Sequence, residues 1–145
     1  MNMAMQNALD QYKQVGVQSG IESASPHRLI QMLMAGALEK IAAAKGFMAR
    51  GEVGPKGEQI GWAISIIDGL RVSLDKNVGG DLVDNLDALY EYMGQQLLAA
   101  NLENDTDKLD EVAGLMHEIK AGWDGIAQEA ADIEEAQQRK ALAGV

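Results

Sequence analysis

The sequence predicts an all-α protein: an antiparallel up-down-up-down four-helix bundle preceded by a mobile N-terminal arm or short helix. Three observations carry that reading. Apolar residues recur at helical spacing in four separate stretches. Short breaks rich in Gly, Pro, Asn and Asp divide those stretches. Sustained alternation of apolar and polar residues, the mark of a half-buried strand, is missing throughout. Composition agrees, since 47% of the 145 residues are hydrophobic and only 4% aromatic, which makes the core aliphatic and rich in good helix formers.

Residues 1–24 read as the arm, pliant at Gly16 and Gly20, with one short helix expected around Ala4–Lys13. Ser25-Pro26 then supplies an N-cap followed by proline at the first helical position, where a missing N–H costs nothing. Leu29, Ile30, Leu33, Ala37, Ile41, Ala44 and Met48 repeat at helical spacing up to Arg50, and Gly51 suits the C′ position. Glu52–Gly57 is expected to be a loop. In the second stretch Ile60, Ala63, Ile64, Ile67, Leu70, Arg71 and Leu74 share one face, on which only Arg71 is polar. Asn77-Val78-Gly79-Gly80 ends it. The third stretch starts at Asp81 and aligns Leu82, Leu86, Leu89, Met93, Leu97 and Ala100, with Asp81 and Asp84 favourably opposed to the helix dipole. Asn104-Asp105 reads as a turn and N-cap. The fourth carries Leu109, Val112, Met116, Ile119, Trp123 and Ile126, extending towards Ala130 and Ile133.

Helices of about 20–25 residues are each roughly 30–38 Å long, and short connections force neighbours to run antiparallel. The bundle is therefore placed at 25–127, with 128–145 a polar helical extension or frayed tail. Leu33, Ile41, Ile64, Ile67, Leu86, Leu89, Met93, Val112, Met116 and Ile119 are the expected core.

Charge excludes several functions. Twelve Lys and Arg against 22 Asp and Glu leave a formal charge of −10, whereas phosphate recognition needs a basic face. Docking on anionic lipid through charge is disfavoured for the same reason. No apolar run approaches the roughly 20 residues of a membrane span. The N-terminus lacks the charged and apolar regions of a secretory signal. With no cysteine, disulfides and thiolate chemistry are out. The chain reads as soluble and intracellular.

Catalytic and metal chemistry find little material. A di-iron carboxylate bundle needs Glu-x-x-His, but Ala24 precedes His27 and Gly114 precedes His117 at the required spacing. A zinc-protease helix would need a second histidine where Ala121 stands. Serines 19, 23, 25, 65 and 73 lack a Gly-x-Ser-x-Gly context. Asp68, Asp75, Asp84 and Asp87 read as a solvated face. No enzyme activity, metal or cofactor is expected.

What stands out is a second apolar stripe. Trp62, Ile66, Gly69 and Ser73 lie roughly 135° around the second helix from its core face, and Val83, Tyr90, Gly94 and Asn101 roughly 90° around the third. A bundle with one interior needs one stripe per helix. Either the core edge is wide, with Trp62 half-covered by a neighbouring side chain, or a groove receives another chain. Gly36, Gly46, Gly61, Gly69, Gly94, Gly114, Gly122 and Gly125 fall inside predicted helices, each at about 1 kcal/mol relative to alanine. Gly69 and Gly94 would hollow a channel along the second stripes.

A series of blocks resembles the FliS family of flagellar secretion chaperones. They are Ala24-Ser25-Pro26-His27-Arg28-Leu29-Ile30, Ile66-Ile67-Asp68-Gly69-Leu70, Ser73-Leu74-Asp75, Gly79-Gly80-Asp81, Asn85-Leu86, Leu89-Tyr90-Glu91-Tyr92-Met93, Ala100-Asn101 and Asp110-Glu111-Val112, followed by Trp123. The likeness runs in order from about Tyr12 to Ile126. It departs from the family at Met34-Ala35, which replaces an aromatic-acidic pair before Gly36. The resemblance implies a cytosolic, non-enzymatic chaperone that binds the disordered C-terminal segment of flagellin. Such a chaperone prevents premature polymerisation and hands the subunit to a component of the flagellar type III export gate.

On that reading, Trp62, Ile66, Leu82, Val83, Leu86, Tyr90, Leu98, Asn101 and Leu102 are the expected flagellin-binding residues. The apolar ones supply area and Asn101 partner hydrogen bonds. Leu9 and Tyr12, spaced i, i+3, are the expected face of an N-terminal lid. The resemblance places such a tyrosine-bearing segment on the empty substrate site. The competing reading is a self-associating structural bundle that buries the second stripe against its own copy in a homo-oligomer; a weak homodimer is also expected among the partners.

Overall fold

The computed structural model describes residues 24–75 and 80–143. Leu9 and Tyr12, with the rest of the predicted arm up to residue 23, lie outside the described residues, as does the link at Asn77-Val78-Gly79. The described residues form five α-helices: α1 (Pro26–Ala49), α2 (Val53–Val72), α3 (Asp81–Glu103), α4 (Thr106–Gly125) and α5 (Ala127–Ala143).

Local chemistry sets the boundaries. The Ser25 hydroxyl accepts the Arg28 N–H at 3.1 Å, and Pro26 takes the first turn of α1. Gly51 turns the chain at φ +72°, which a glycine adopts without strain. α2 begins at Val53, so Gly54-Pro55-Lys56-Gly57 is helical where a loop was expected. Proline is tolerated in a first turn, and the buried Lys56 side chain anchors that turn to α3. Asn104 ends α3 in the left-handed region, and Asp105 caps α4 by accepting the N–H groups of Asp107 and Lys108. The fourth predicted helix breaks at Ile126, so Ile133 belongs to the separate helix α5, whose described side chains are exposed.

α1 packs on α2, α2 on α3, α3 on α4, and α4 back on α1, closing a ring around one core. The side-chain ties run in opposite order along paired helices, as antiparallel neighbours require. Gln31 and Lys45 of α1 reach Asp124 and Asp110 of α4, while Lys56 and Arg71 of α2 reach Asn104 and Asp87 of α3. Leu33, Ile41, Ile67, Met93, Val112 and Met116 are buried as expected. Ile64, Leu86, Leu89 and Ile119 are partly buried against them. α2 is buried around much of its circumference, through Ile60, Ala63, Ile66, Ile67, Gly69 and Leu70.

Candidate functional site

The residues expected to line one groove are dispersed. Ile66 is 0% exposed and Tyr90 4%, so both are core rather than surface, and burial pushes the Tyr90 phenol up to about 12. The reason is geometric. α2 packs against α1 on one side and α3 on the other, so the stripe bearing Ile66 and Gly69 faces protein rather than a channel. Trp62 is half-buried, with the Lys40 ammonium 5.1 Å from its ring centroid, which places it at the α1 edge of α2. Leu82 is 71% exposed at the start of α3, where Val83 is half-buried and Leu86 packs partly on the core.

The other three come together at the opposite end of α3, beside α2. There Asn101 lies against Gly57, whose missing Cβ would sit 3.8 Å from the Asn101 amide. Leu98 and Leu102 stand on the same exposed side of α3, at 52% and 76%.

This end belongs to a continuous seam between α2 and α3. Lys56 Nζ donates to the Asn101 carbonyl at 2.9 Å and to Asn104 Oδ1. Some 15 residues further along α2, Arg71 grips Asp87 through Nε (2.8 Å) and Nη2 (3.3 Å), and Nη2 also reaches Glu91 at 3.3 Å. Between these pins the α2 border carries Gly57, Gly61, Ile64, Asp68 and Arg71, at alternating spacings of four and three that keep one helix face. The α3 border carries Asp87, Glu91, Gly94, Leu98 and Asn101 at the same spacing. A Cβ at Gly61 or Gly94 would meet nothing within 4 Å. The middle of the seam is thus bare of side chains at Gly61 and Gly94 and open to solvent, with exposed Leu98 on its α3 side.

Its two ends differ in polarity. Hydrogen bonding to Asp87, outweighing desolvation, raises the Arg71 guanidinium pKa, with Asp87, Glu91 and Asp68 all acting through space. Desolvation raises the Asp68 carboxyl, against the pull of Arg71. In the seam the Asn101 side-chain amide makes no hydrogen bond among the described residues. Sequence reasoning missed the Lys56 pin, the Arg71 clamp and the glycine floor at Gly57 and Gly61. The shared four-three spacing on both helices was the signal that would have found them.

Comparison with known proteins follows the same ground. The family described as Flagellar protein FliS matches residues 5–130. The flagellar secretion chaperone FliSB of Pseudomonas aeruginosa is 52% identical over 125 residues, 86% of this chain and 99% of that protein. The flagellar secretion chaperones FliS of Vibrio cholerae and Bacillus subtilis are 45% and 32% identical. They are matched over 86% and 83% of this chain and over 92% and 86% of their own lengths. The chain belongs to the FliS family.

This family member is a bundle of helices with a flagellar secretion chaperone's sequence. Most of α5 lies beyond the family match, which ends at residue 130. Among the described residues, no helix is long and apolar enough to cross a membrane, and no three His, Asp or Glu side chains are grouped to hold a metal ion. What the α2/α3 seam offers chemically is non-covalent: apolar area, a free amide and charge at each end.

Proposed function

We propose that this protein is a cytosolic export chaperone that binds the disordered C-terminal segment of flagellin along the α2/α3 seam. Binding keeps the subunit from polymerising early and presents it to a component of the flagellar export gate. The observation that carries this reading is the strip open to solvent at Gly61 and Gly94, beside exposed Leu98 and Leu102, in a chain of the flagellar secretion chaperone family. An amphipathic helix lays its apolar face along such a strip. Ordering a disordered segment opposes binding, so useful affinity requires a long contact. The seam, pinned at both ends, supplies length, and the free amide of Asn101 meets partner backbone groups that would otherwise lose their hydrogen bonds.

The N-terminal residues complete the proposal. We propose that Leu9 and Tyr12, outside the described residues, act as a displaceable lid that lowers apparent flagellin affinity by the fraction of time the site is closed. Changing both to Ser should increase dye-accessible apolar surface without weakening flagellin binding. Loss of binding with helicity intact would make the arm part of the partner's site.

The direct test is calorimetric titration of a flagellin C-terminal peptide into L98D/L102D. Both side chains are exposed, so circular dichroism should be unchanged while binding is lost. Retained affinity would remove the seam from the reading. Sedimentation of wild type separates the alternative: a self-associating bundle is a dimer whose association L98D/L102D disrupts, with no peptide bound.

A further inference from the structure

Two core stripes run past the end of the bundle. On α3 the stripe of Leu86, Leu89, Met93 and Leu97 begins one turn earlier, at Leu82. Leu86 and Leu89 pack against the core, whereas Leu82 is 71% exposed. On α4 Val112, Met116, Ile119 and Trp123 are buried or packed on the core, whereas the next residue of that stripe, Ile126, is 42% exposed. Both lie at the same end of the molecule. Tyr92 and Gln96 of α3 reach Glu111 of the antiparallel α4. At 1.5 Å per residue, Leu82 lies roughly 15–21 Å from that tie and Ile126 roughly 22 Å, both towards one end. Covering apolar surface of this kind is favourable.

The chain itself enters the bundle at this end. The Trp123 indole donates to the His27 carbonyl at 3.0 Å, the two rings stack at 4.5 Å, and Gln31 donates to Asp124 at 2.7 Å. The first turn of α1 is thereby held beside the end of α4, and Ala24, just before it, packs against the core. Twenty-three residues precede Ala24, and nearest to it Val15, Val17 and Ile21 carry apolar side chains. α4 stands between α1 and α3, and packed helix axes are roughly 8–10 Å apart. Extended chain spans about 3.3 Å per residue, so Ile21 reaches about 10 Å from Ala24 and Val17 up to about 23 Å. Those reaches match the first and the second helix across. We propose that residues 17–21 cross the end of the bundle from α1 over α4 to α3, seating Ile21 on Ile126 and Val17 on Leu82. Gly20, between them, has no side chain to hold the chain off the helix ends. The cap fixes where residues 1–16 leave the bundle, at the start of α3, and it stays seated when those residues move. Leu82 then serves the protein's own arm rather than a partner's site.

Methyl-labelled full-length protein tests the cap by nuclear magnetic resonance. Overhauser contacts should join the Ile21 and Ile126 methyls and the Val17 and Leu82 methyls. In L82S/I126S both altered side chains are exposed, so circular dichroism should match wild type. Amide exchange at residues 17–24 should accelerate at least about 10-fold in that variant, with sedimentation and affinity for a flagellin C-terminal peptide unchanged. Absence of contacts from Val17 and Ile21 to this end overturns the cap. Lost peptide binding in L82S/I126S would give the surface to the partner, and loss of a wild-type dimer would give it to a second copy. Either result also overturns the cap.

Discussion

Lys56 shows how a single side chain fixes two helices. Its stem is buried and its ammonium caps the end of α3 through Asn101 and Asn104, where a cation also opposes the helix dipole. Lys56→Ala strands the Asn101 carbonyl and should cost about 1–3 kcal/mol, measured by urea denaturation. Ile66→Ala removes a side chain with no exposed surface and should cost about 2–5 kcal/mol. Its core position makes Ile66 unsuitable as a binding probe. Neither role was legible in the sequence. A lysine between two glycines reads as a loop, and an isoleucine off the main stripe reads as surface, until α1 and α3 are known to flank α2 on both sides. Trp62 was legible in part: the half-covered alternative is what Lys40 produces.

Helix boundaries were legible wherever a cap or a turn residue marks them, at Ser25-Pro26, Gly51, Asp81 and Asn104-Asp105. They were misread at Val53 and Ile126, where tertiary anchoring and a break without proline decide the geometry. The joints between elements carry the pH dependence. The Lys120 ammonium, then the Gln31 amide, holds the Asp124 carboxyl below its ordinary range at the α1/α4 joint. The Tyr92 hydroxyl, then the Gln96 amide, does the same for Glu111 between α3 and α4. A carboxyl depressed in the folded state binds its proton less readily there than in the unfolded chain. Its contribution is present above the unfolded pKa and disappears as pH falls through the depressed value. Thermal stability should therefore decline below about pH 4.5, and D124N and E111Q should each flatten that decline. Asp68 works in the opposite sense. Desolvation raises its pKa, so ionisation opposes folding, and D68N should melt slightly higher at neutral pH but not in acid.

For the whole molecule, the arrangement of four helices around an aliphatic core follows from spacing alone, whereas the site depends on which helix faces meet. Leu98, Asn101 and Leu102, named from the sequence, lie together at the far end of α3, two of them exposed. Gly57 and Gly61 were not named, since a glycine's contribution is an absence that only a neighbour's position makes visible. The central claim is that the partner lies in the α2/α3 seam, and the neighbouring positions Gly61 and Trp62 test it most directly. A side chain at 61 meets nothing in the free protein and replaces a helical glycine, so G61L should melt at or above the wild-type temperature. In a titration with the flagellin C-terminal peptide, G61L should bind at least 10-fold more weakly because leucine fills the open strip. W62A, altered at the α1 edge, should bind as wild type does. Wild-type affinity in G61L together with lost binding in W62A would contradict the account and move the partner to the other side of α2.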